Sequence, residues 1–305
     1  MLEDIASRFL YYPEPIPPDM PPPQWAADSR EVWIDTEDGV RIHGLWWPAP
    51  EGRPTILFLH GNAQEVYSWS LVREDLAALE CGMLLIDYRG YGKSEGKPGE
   101  SGLYADGRGA LEWLRREGIE AGETVIFGKS LGGAVACEIA RGVNLKGLIL
   151  ESTFTSLASV ACNLFPFARG YTPADTAYNS LAKLPEIQCG LMVIHGDADM
   201  LIPVGEGEAL FEAAGEPKCP APQVRLSTES VEAPLRQGAR PRRTSVVRRG
   251  SGTQPEWMQR RSNASVFVER GTNRLLIVRG AGHNDVSIVA GSEYGGRIRE
   301  WLDGL

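Results

Sequence analysis

Short apolar segments alternate with amphipathic segments along most of the chain, and this alternation predicts a mixed α/β fold. Continuous apolar runs, short enough for buried strands, occupy residues 55–59, 83–86, 124–127, 147–150, 191–194 and 275–278. Segments with helical spacing of apolar residues lie between or after them, at 64–80, 103–116, 134–140, 205–214 and 291–302. Because strands separated by helices pair in parallel, the pattern predicts a mostly parallel sheet with helices on both faces.

The first part of the chain follows a different pattern. Residues 31–35 and 40–47 alternate between apolar and polar positions on either side of Asp38-Gly39, a dipeptide typical of tight hairpin turns. Before them, residues 1–30 contain the proline-rich run YYPEPIPPDMPPP, which cannot form a helix or an inner strand. We therefore predict an extended lead-in over 1–30, an antiparallel hairpin, and an α/β domain over 31–305.

Two stretches interrupt the alternation. Residues 219–273 contain ten arginines and four glutamates, a net charge of +6, without sustained periodicity. This composition favours a disordered insertion, which a surface connection tolerates at small entropic cost. Residues 153–185 are irregular and aromatic, and they predict a short cap over one end of the sheet.

Composition narrows the functional classes. The net charge of the 305-residue chain is −9, which argues against general nucleic-acid binding. No run of about 18 apolar residues predicts a membrane span, and the N-terminal residues lack the features of a signal peptide. The five cysteines show no metal-ligand spacing. We expect a cytoplasmic protein without a metal or cofactor that acts on a small molecule.

The chemistry centres on Gly128-Lys129-Ser130-Leu131-Gly132, which fits the pattern G-x-S-x-G. A predicted strand precedes this segment and a predicted helix follows it, as in a nucleophile elbow, where a sharp turn exposes the serine hydroxyl. Ser130 is therefore the predicted nucleophile. An elbow directs the preceding side chain away from the reaction, so no catalytic role is expected for Lys129.

A serine nucleophile needs a base to accept its proton. The chain contains four histidines. His283 lies in a glycine-rich turn after the last predicted strand and is the predicted base. His60 and His195 each end a strand before a glycine, where an imidazole typically bonds to backbone, and His43 lies within the early hairpin.

A carboxylate must orient the base and stabilise its charged form. Asp197 and Asp199 follow the predicted strand over 191–194 in the sequence HGDADMLIP. Asp199 lies further into the loop and is the preferred candidate, whereas an aspartate at the position of Asp197 commonly caps a turn. The order Ser130, Asp199, His283 is the order expected of this kind of triad.

Two further groups of residues are predicted to contact the substrate. The backbone N–H groups of Asn62 and Leu131 are the expected donors to an oxyanion, because fixed amides stabilise developing negative charge without reorganising. Phe154, Leu157 and Phe165 are candidates for an apolar wall around an acyl group. The same three side chains are equally consistent with ordinary core packing.

Six segments of the chain resemble motifs of the α/β-hydrolase fold family, and they occur in the order expected for that family. Within it, the chain is most similar to the small abhydrolase-domain serine hydrolases with minimal caps. The six segments are HGN at 60–62, DYRGYGKS at 87–94, FGKSLGG at 127–133, ESTFTS at 151–156, HGDAD at 195–199 and GAGHND at 280–285. The resemblance implies a Ser130–Asp199–His283 triad and cofactor-free hydrolysis of esters or thioesters. Residues 219–273 depart from the family pattern, as does the lack of the N-terminal membrane anchor that many relatives carry.

The leading functional hypothesis is therefore a serine hydrolase of the carboxylesterase or acyl thioesterase type, acting on small to medium acyl substrates. A peptidase of the same fold is a second hypothesis. A non-catalytic binding scaffold, disabled by the insertion, is a third.

Overall fold

Within the described residues, the eight predicted strands and one further strand form a single nine-stranded sheet. The computed structural model describes residues 11–164, 177–215 and 265–305. The strands are β1 (Arg30–Asp35), β2 (Arg41–Trp47), β3 (Thr55–Leu59), β4 (Gly82–Ile86), β5 (Thr124–Lys129), β6 (Gly147–Glu151), β7 (Gly190–Gly196), β8 (Val266–Arg270) and β9 (Asn273–Val278). Their order in the sheet is β1-β2-β4-β3-β5-β6-β7-β9-β8. Strands β4, β3, β5, β6, β7 and β9 run parallel, whereas β1, β2 and β8 pair antiparallel with their neighbours. The predicted parallel sheet with an antiparallel start is confirmed.

Helices cover both faces of this sheet. They are α1 (Val66–Trp69), α2 (Val72–Asp75), α3 (Glu100–Arg116), α4 (Leu131–Ile139), α5 (Leu157–Leu164), α6 (Ser180–Lys183), α7 (Val204–Ala213), α8 (Val286–Ala290) and α9 (Ser292–Asp303). Because successive strand residues point to opposite faces, Leu57 and Leu59 join one core with α3, α4 and α7. Ile56 and Phe58 join the other core with α1, α8 and α9. Within the described residues no helix is long and apolar enough to cross a bilayer.

The helix predicted over 64–80 is broken into short pieces. Glu65 caps α1 by accepting hydrogen bonds from the N–H groups of Tyr67 and Ser68. The Ser70 hydroxyl then donates to the Tyr67 carbonyl at 2.7 Å. Serine hydroxyls that bond to the backbone of the preceding turn compete with helix continuation, and α1 ends just before this residue.

The predicted insertion over 219–273 extends too far at its C-terminal end. Val266–Arg270 forms β8, which pairs antiparallel with β9 and completes one edge of the sheet. Valine and phenylalanine favour strands, but the run VFVER is short and follows an arginine-rich stretch. The sequence pattern around it therefore does not predict a strand. The rest of the predicted insertion up to residue 264 lies outside the described residues.

Residues 11–17 of the predicted lead-in, which we call the N-terminal strap, lie against the carboxyl end of the sheet, and residues 1–10 lie outside the described residues. The Ile16 N–H donates to the Gly92 carbonyl, and the Gly92 N–H donates to the Glu14 carbonyl, both at 3.0 Å. These bonds place the strap beside the loop that follows β4. A short 3₁₀ turn at Gln24–Ala26 then leads into β1.

Candidate active site

Ser130 occupies a sharp turn between the end of β5 and the first residue of α4. Its backbone has a φ of 52° and a ψ of −117°, in the region that favours glycine. The flanking glycines, Gly128 and Gly132, are required because other backbone atoms leave no room for a Cβ at either position. A Cβ on Gly128 would lie 2.5 Å from the Gly132 carbonyl oxygen, and a Cβ on Gly132 would overlap the Leu59 carbonyl. A strained serine in such a turn is typical of a functional position.

A buried polar chain lies beside the strained turn. The Lys129 ammonium contacts one carboxylate oxygen of Glu151 at 2.5 Å, and the Tyr294 hydroxyl donates to the other at 2.5 Å. The carbonyl of Glu151 accepts the Ser130 N–H at 2.9 Å. Lys129 is thus paired with a buried carboxylate, and the same residue that neutralises it also holds the serine backbone.

The imidazole of His283 bridges Ser130 and Asp199. Its Nε2 lies 3.1 Å from Ser130 Oγ, and its Nδ1 lies 2.7 Å from Asp199 Oδ2. An ionised carboxylate only accepts hydrogen bonds, so Nδ1 carries a proton that it donates to Asp199. Nε2 is then the acceptor for the serine hydroxyl, which is the arrangement that proton removal from Ser130 requires.

Asp199 is held from several sides in its ionised form. Its Oδ1 accepts the N–H groups of Leu201 at 2.9 Å and Ile202 at 2.8 Å. Burial by itself raises the pKa of this carboxyl, but hydrogen bonds from His195, His283 and the Ile202 N–H outweigh burial and hold the pKa well below its ordinary value. The carboxylate therefore remains charged and available to orient His283.

Asp197, the other candidate for the carboxylate that orients the base, makes different contacts. Its Oδ2 accepts from the Arg279 guanidinium at 2.8 Å, and its Oδ1 accepts the Gly280 N–H at 2.6 Å. These bonds join the loop after β7 to the loop after β9. The structure therefore brings Asp199 to His283 and assigns Asp197 to holding the two loops together.

The other three histidines are fully buried and have other partners than Ser130. His43 lies between the carboxylates of Glu31 and Asp87. His60 Nδ1 contacts the carbonyl of the next residue at 2.7 Å. His195 donates from Nε2 to the Ile202 carbonyl at 2.8 Å, and the same nitrogen lies 3.5 Å from Asp199 Oδ2. His195 thus lies directly behind the carboxylate, an arrangement that no sequence pattern indicates.

The two predicted oxyanion donors come from different elements. Leu131 opens α4, where the first N–H groups of a helix lack acceptors within the helix. Asn62 follows β3, beside the elbow: a Cβ on the intervening Gly61 would lie 3.4 Å from Ser130 Cβ. The Asn62 side chain accepts from the Tyr12 N–H at 3.0 Å and from the Tyr91 hydroxyl at 2.7 Å. No motif signals the contribution of Tyr12, because its donor is a backbone group.

The predicted apolar wall is described only in part. Phe154 is buried in the same core as α4, and Leu157 is half-buried at the start of α5. Phe165 lies outside the described residues. Glu206 in α7 accepts from the Thr155 hydroxyl at 2.6 Å, and this bond joins the beginning of the predicted cap to α7. The burial of Phe154 agrees with core packing, and its contact with a substrate stays a prediction.

A mostly parallel sheet, helices on both faces and a strained serine between the central strand β5 and its helix define the class of α/β-hydrolase folds. Comparison with known proteins gives the family. The model of the hydrolase family described as serine aminopeptidase, S33, matches residues 50–171. YfhR of Escherichia coli K12 is 36% identical over 227 residues, which cover 70% of this chain and 77% of YfhR. The α/β-hydrolase domain-containing protein WAV2 of Arabidopsis thaliana is 32% identical over 211 residues, 62% of this chain and 68% of WAV2. The chain belongs to the α/β-hydrolase family.

Solved structures share the same fold at lower identity. An esterase from Pyrococcus furiosus has a TM-score of 0.65 at 18% identity, with 97% of each chain covered. A puromycin-hydrolyzing peptidase from Mycobacterium tuberculosis has a TM-score of 0.56 at 17% identity, with 93% of this chain and 39% of that one covered. Because these identities are low, the two structures support the fold and do not distinguish an ester from an amide substrate.

Proposed function

We propose that this protein is a serine hydrolase that cleaves carboxylic ester or thioester bonds of small to medium acyl substrates through an acyl-enzyme. The observation that carries this proposal is the hydrogen-bonded series Ser130 Oγ, His283 and Asp199, at 3.1 and 2.7 Å. A nucleophile within reach of a base, with that base oriented by a carboxylate, is the arrangement that activates a serine.

In the first half of the reaction, Ser130 Oγ attacks the acyl carbonyl carbon while His283 Nε2 accepts the hydroxyl proton. Asp199 stabilises the imidazolium that forms. The carbonyl oxygen becomes an oxyanion, which accepts hydrogen bonds from the N–H groups of Leu131 and Asn62. His283 then returns the proton to the leaving alkoxide or thiolate as its bond to the acyl carbon breaks.

In the second half, water replaces the leaving group. His283 accepts a proton from water, whose oxygen attacks the acyl carbon of the ester formed with Ser130. Collapse of the second tetrahedral intermediate breaks the bond between this carbon and Ser130 Oγ. The proton on His283 returns to Ser130, and the carboxylic acid leaves.

A peptidase of the same fold is the second candidate, because the matching family is described as serine aminopeptidase. An aminopeptidase needs an anionic group for the free α-ammonium of its substrate. Two carboxylates lie near the site on the loops after β7 and β9. Asp197 is paired with Arg279, and Asp285 accepts the Gly282 N–H at 2.6 Å. Among the described residues, the ion pair with Arg279 already neutralises Asp197, and this favours an ester or thioester over an amino-acyl amide.

The test combines a fluorophosphonate probe with substrates of both kinds. We expect the wild type to react with the probe and Ser130→Ala to remain unlabelled. A series of p-nitrophenyl esters from two to twelve acyl carbons should show turnover that is greatest for the short to medium chains, with little cleavage of amino-acyl amides. Preference for the amides would favour the peptidase. A wild type that neither reacts nor hydrolyses would support the non-catalytic scaffold and contradict the proposal.

A further inference from the structure

The N-terminal strap reaches the edge of the candidate active site through a backbone hydrogen bond. The Tyr12 N–H donates to Asn62 Oδ1 at 3.0 Å. The donor and acceptor are 50 positions apart in sequence, and the acceptor belongs to the residue whose own N–H is a proposed oxyanion donor. The strap therefore contacts the loop on which the position of that N–H depends.

The side-chain oxygen of Asn62 accepts three hydrogen bonds, which hold the side chain in place. Besides Tyr12, its Oδ1 accepts the Tyr91 hydroxyl at 2.7 Å and the Ala63 N–H at 3.0 Å. The two residues that follow, Ala63 and Gln64, both have left-handed backbones, with φ values of 66° and 62°. Consecutive residues without glycine in this region are strained and persist only where surrounding contacts hold them. The loop therefore depends on contacts from outside itself.

The strap is well anchored for this purpose. Its Glu14 and Ile16 pair with Gly92 through two backbone hydrogen bonds. At its other end the Tyr11 side chain is buried, and its hydroxyl lies 2.6 Å from the Tyr178 hydroxyl. Proline at alternate positions between these anchors restricts the backbone. A stiff segment with contacts on both sides of Tyr12 presents the N–H in a defined place.

We propose that the N-terminal strap is a positioning element of the oxyanion hole, in which the Tyr12 N–H holds the Asn62 side chain so that the Asn62 N–H faces the acyl oxygen. This inference rests on the proposed function, since it assigns a role within the same reaction. In this role the strap acts through the Asn62 side chain and takes no part in the chemical step itself. Its effect belongs to the stage where negative charge develops, and so to kcat more than to substrate binding.

Replacement of Tyr12 by proline removes the N–H and nothing else from the backbone. The residue already precedes Pro13, which favours an extended conformation that proline also adopts. We expect Tyr12→Pro to lower kcat for a p-nitrophenyl ester about tenfold, well short of the hundredfold or more that follows loss of an oxyanion donor itself, while KM changes less than about twofold. Tyr12→Ala keeps the N–H and separates the effect of the side chain. Glu14→Pro, at an exposed position between two prolines, is the matched control for proline substitution, because proline keeps the carbonyl that accepts the Gly92 N–H; we expect its kcat to stay within about twofold of the wild type.

A double-mutant cycle shows whether the strap acts through Asn62. Asn62→Ala retains the backbone N–H but removes the acceptor, and it should also lower kcat. If Tyr12 acts through this acceptor, adding Tyr12→Pro to Asn62→Ala should cost less than about twofold, because coupled changes are not additive. Fully multiplicative losses would contradict the proposal, as would an unchanged kcat in Tyr12→Pro.

The same measurements separate this inference from the proposed function. A wild type without esterase activity and without fluorophosphonate labelling contradicts both. An active wild type whose kcat is insensitive to Tyr12→Pro contradicts the strap alone. If Tyr12→Pro does not fold, as judged by its circular dichroism and melting temperature, the comparison of Asn62→Ala with Tyr91→Phe provides the test: a loss of kcat in Asn62→Ala no larger than that in Tyr91→Phe would contradict the role of the strap. Loss confined to KM, with kcat unchanged, would assign the contact to binding and overturn the positioning role.

Discussion

The two sides of the candidate site are held by different kinds of contact. On the acid–base side, the loops 197–203 and 279–285 are joined by charged groups: Asp199 to His283, and Asp197 to Arg279. These loops follow β7 and β9, which are neighbours in the sheet. On the oxyanion side, the loop 60–64 is held by neutral donors from the N-terminal strap and from Tyr91.

This difference indicates how each side depends on the rest of the chain. Hydrogen bonds to ionised groups are about twice as strong as neutral ones. The positions of the two loops on the acid–base side therefore depend on neighbouring strands of the sheet and on charged hydrogen bonds. The oxyanion side depends on a peripheral segment that adds no strand to the sheet. We expect large, local effects from changes on the first side and smaller, transmitted effects from changes on the second.

The largest effect should come from Asp199. Asp199→Asn keeps the size of the side chain but removes the charge that orients His283 and stabilises its protonated form. We expect kcat to fall by about 10⁴-fold. Asp197→Asn is the matched control, because it alters a carboxylate on the same loop that lies in a different ion pair. Its kcat for a p-nitrophenyl ester should fall less than about tenfold. Equal losses in the two variants would contradict the assignment of Asp199.

The lowered pKa of Asp199 also predicts a pH dependence of stability. Its pKa is lower in the folded chain than in the unfolded chain, where an aspartate titrates at about 3.9. The stabilisation by its charge is therefore fully present above the unfolded pKa and is lost as pH falls through the folded pKa. The difference in unfolding free energy between wild type and Asp199→Asn, measured by urea denaturation, should narrow as pH falls below about 4. If this free-energy difference grows instead as pH falls, the pKa of Asp199 is raised on folding and not lowered.

A smaller effect is expected from His195, which supports the acid–base side from behind. Its Nε2–H donates to the Ile202 carbonyl in the loop that carries Asp199. His195→Ala removes this donor and leaves a buried carbonyl without it, so we expect kcat to fall about tenfold. His195→Gln restores a donor at a similar reach and should recover most of the loss. Equal kcat in the two variants would show that packing, not the hydrogen bond, is what matters.

The order of strands and helices was accessible from the sequence because it depends on periodicity, and the predicted fold class is confirmed. Two local features were not. The strand β8 is short, and its pairing with β9 depends on a long-range contact that the arginine-rich stretch before it does not suggest. The helix predicted over 64–80 has continuous apolar spacing, but the hydroxyl of Ser70 bonds to the backbone at the end of α1.

The candidate site also contains residues that the sequence predicts and contacts that it does not. Ser130, His283 and Asp199 were predicted because their side chains carry the chemistry and because strand ends meet at one edge of a parallel sheet. The structure brings these three side chains together. The contact from Tyr12 could not be predicted, because any residue other than proline offers the same N–H. His195 was expected to bond to backbone, and only the three-dimensional course of its loop places it behind Asp199.

The smallest effect should come from Tyr91, on the oxyanion side. Tyr91→Phe removes the hydroxyl that donates to Asn62 Oδ1, but the two backbone donors to that oxygen, the N–H groups of Tyr12 and Ala63, stay in place. We expect kcat to fall about threefold, with a further loss when Tyr12→Pro removes the second donor. Tyr67→Phe is the control, because it removes a phenol that bonds instead to Met20 and Glu31. A loss in Tyr91→Phe as large as that in Asp199→Asn would mean that the neutral donors are as decisive as the charged ones, and the contrast between the two sides would then not hold.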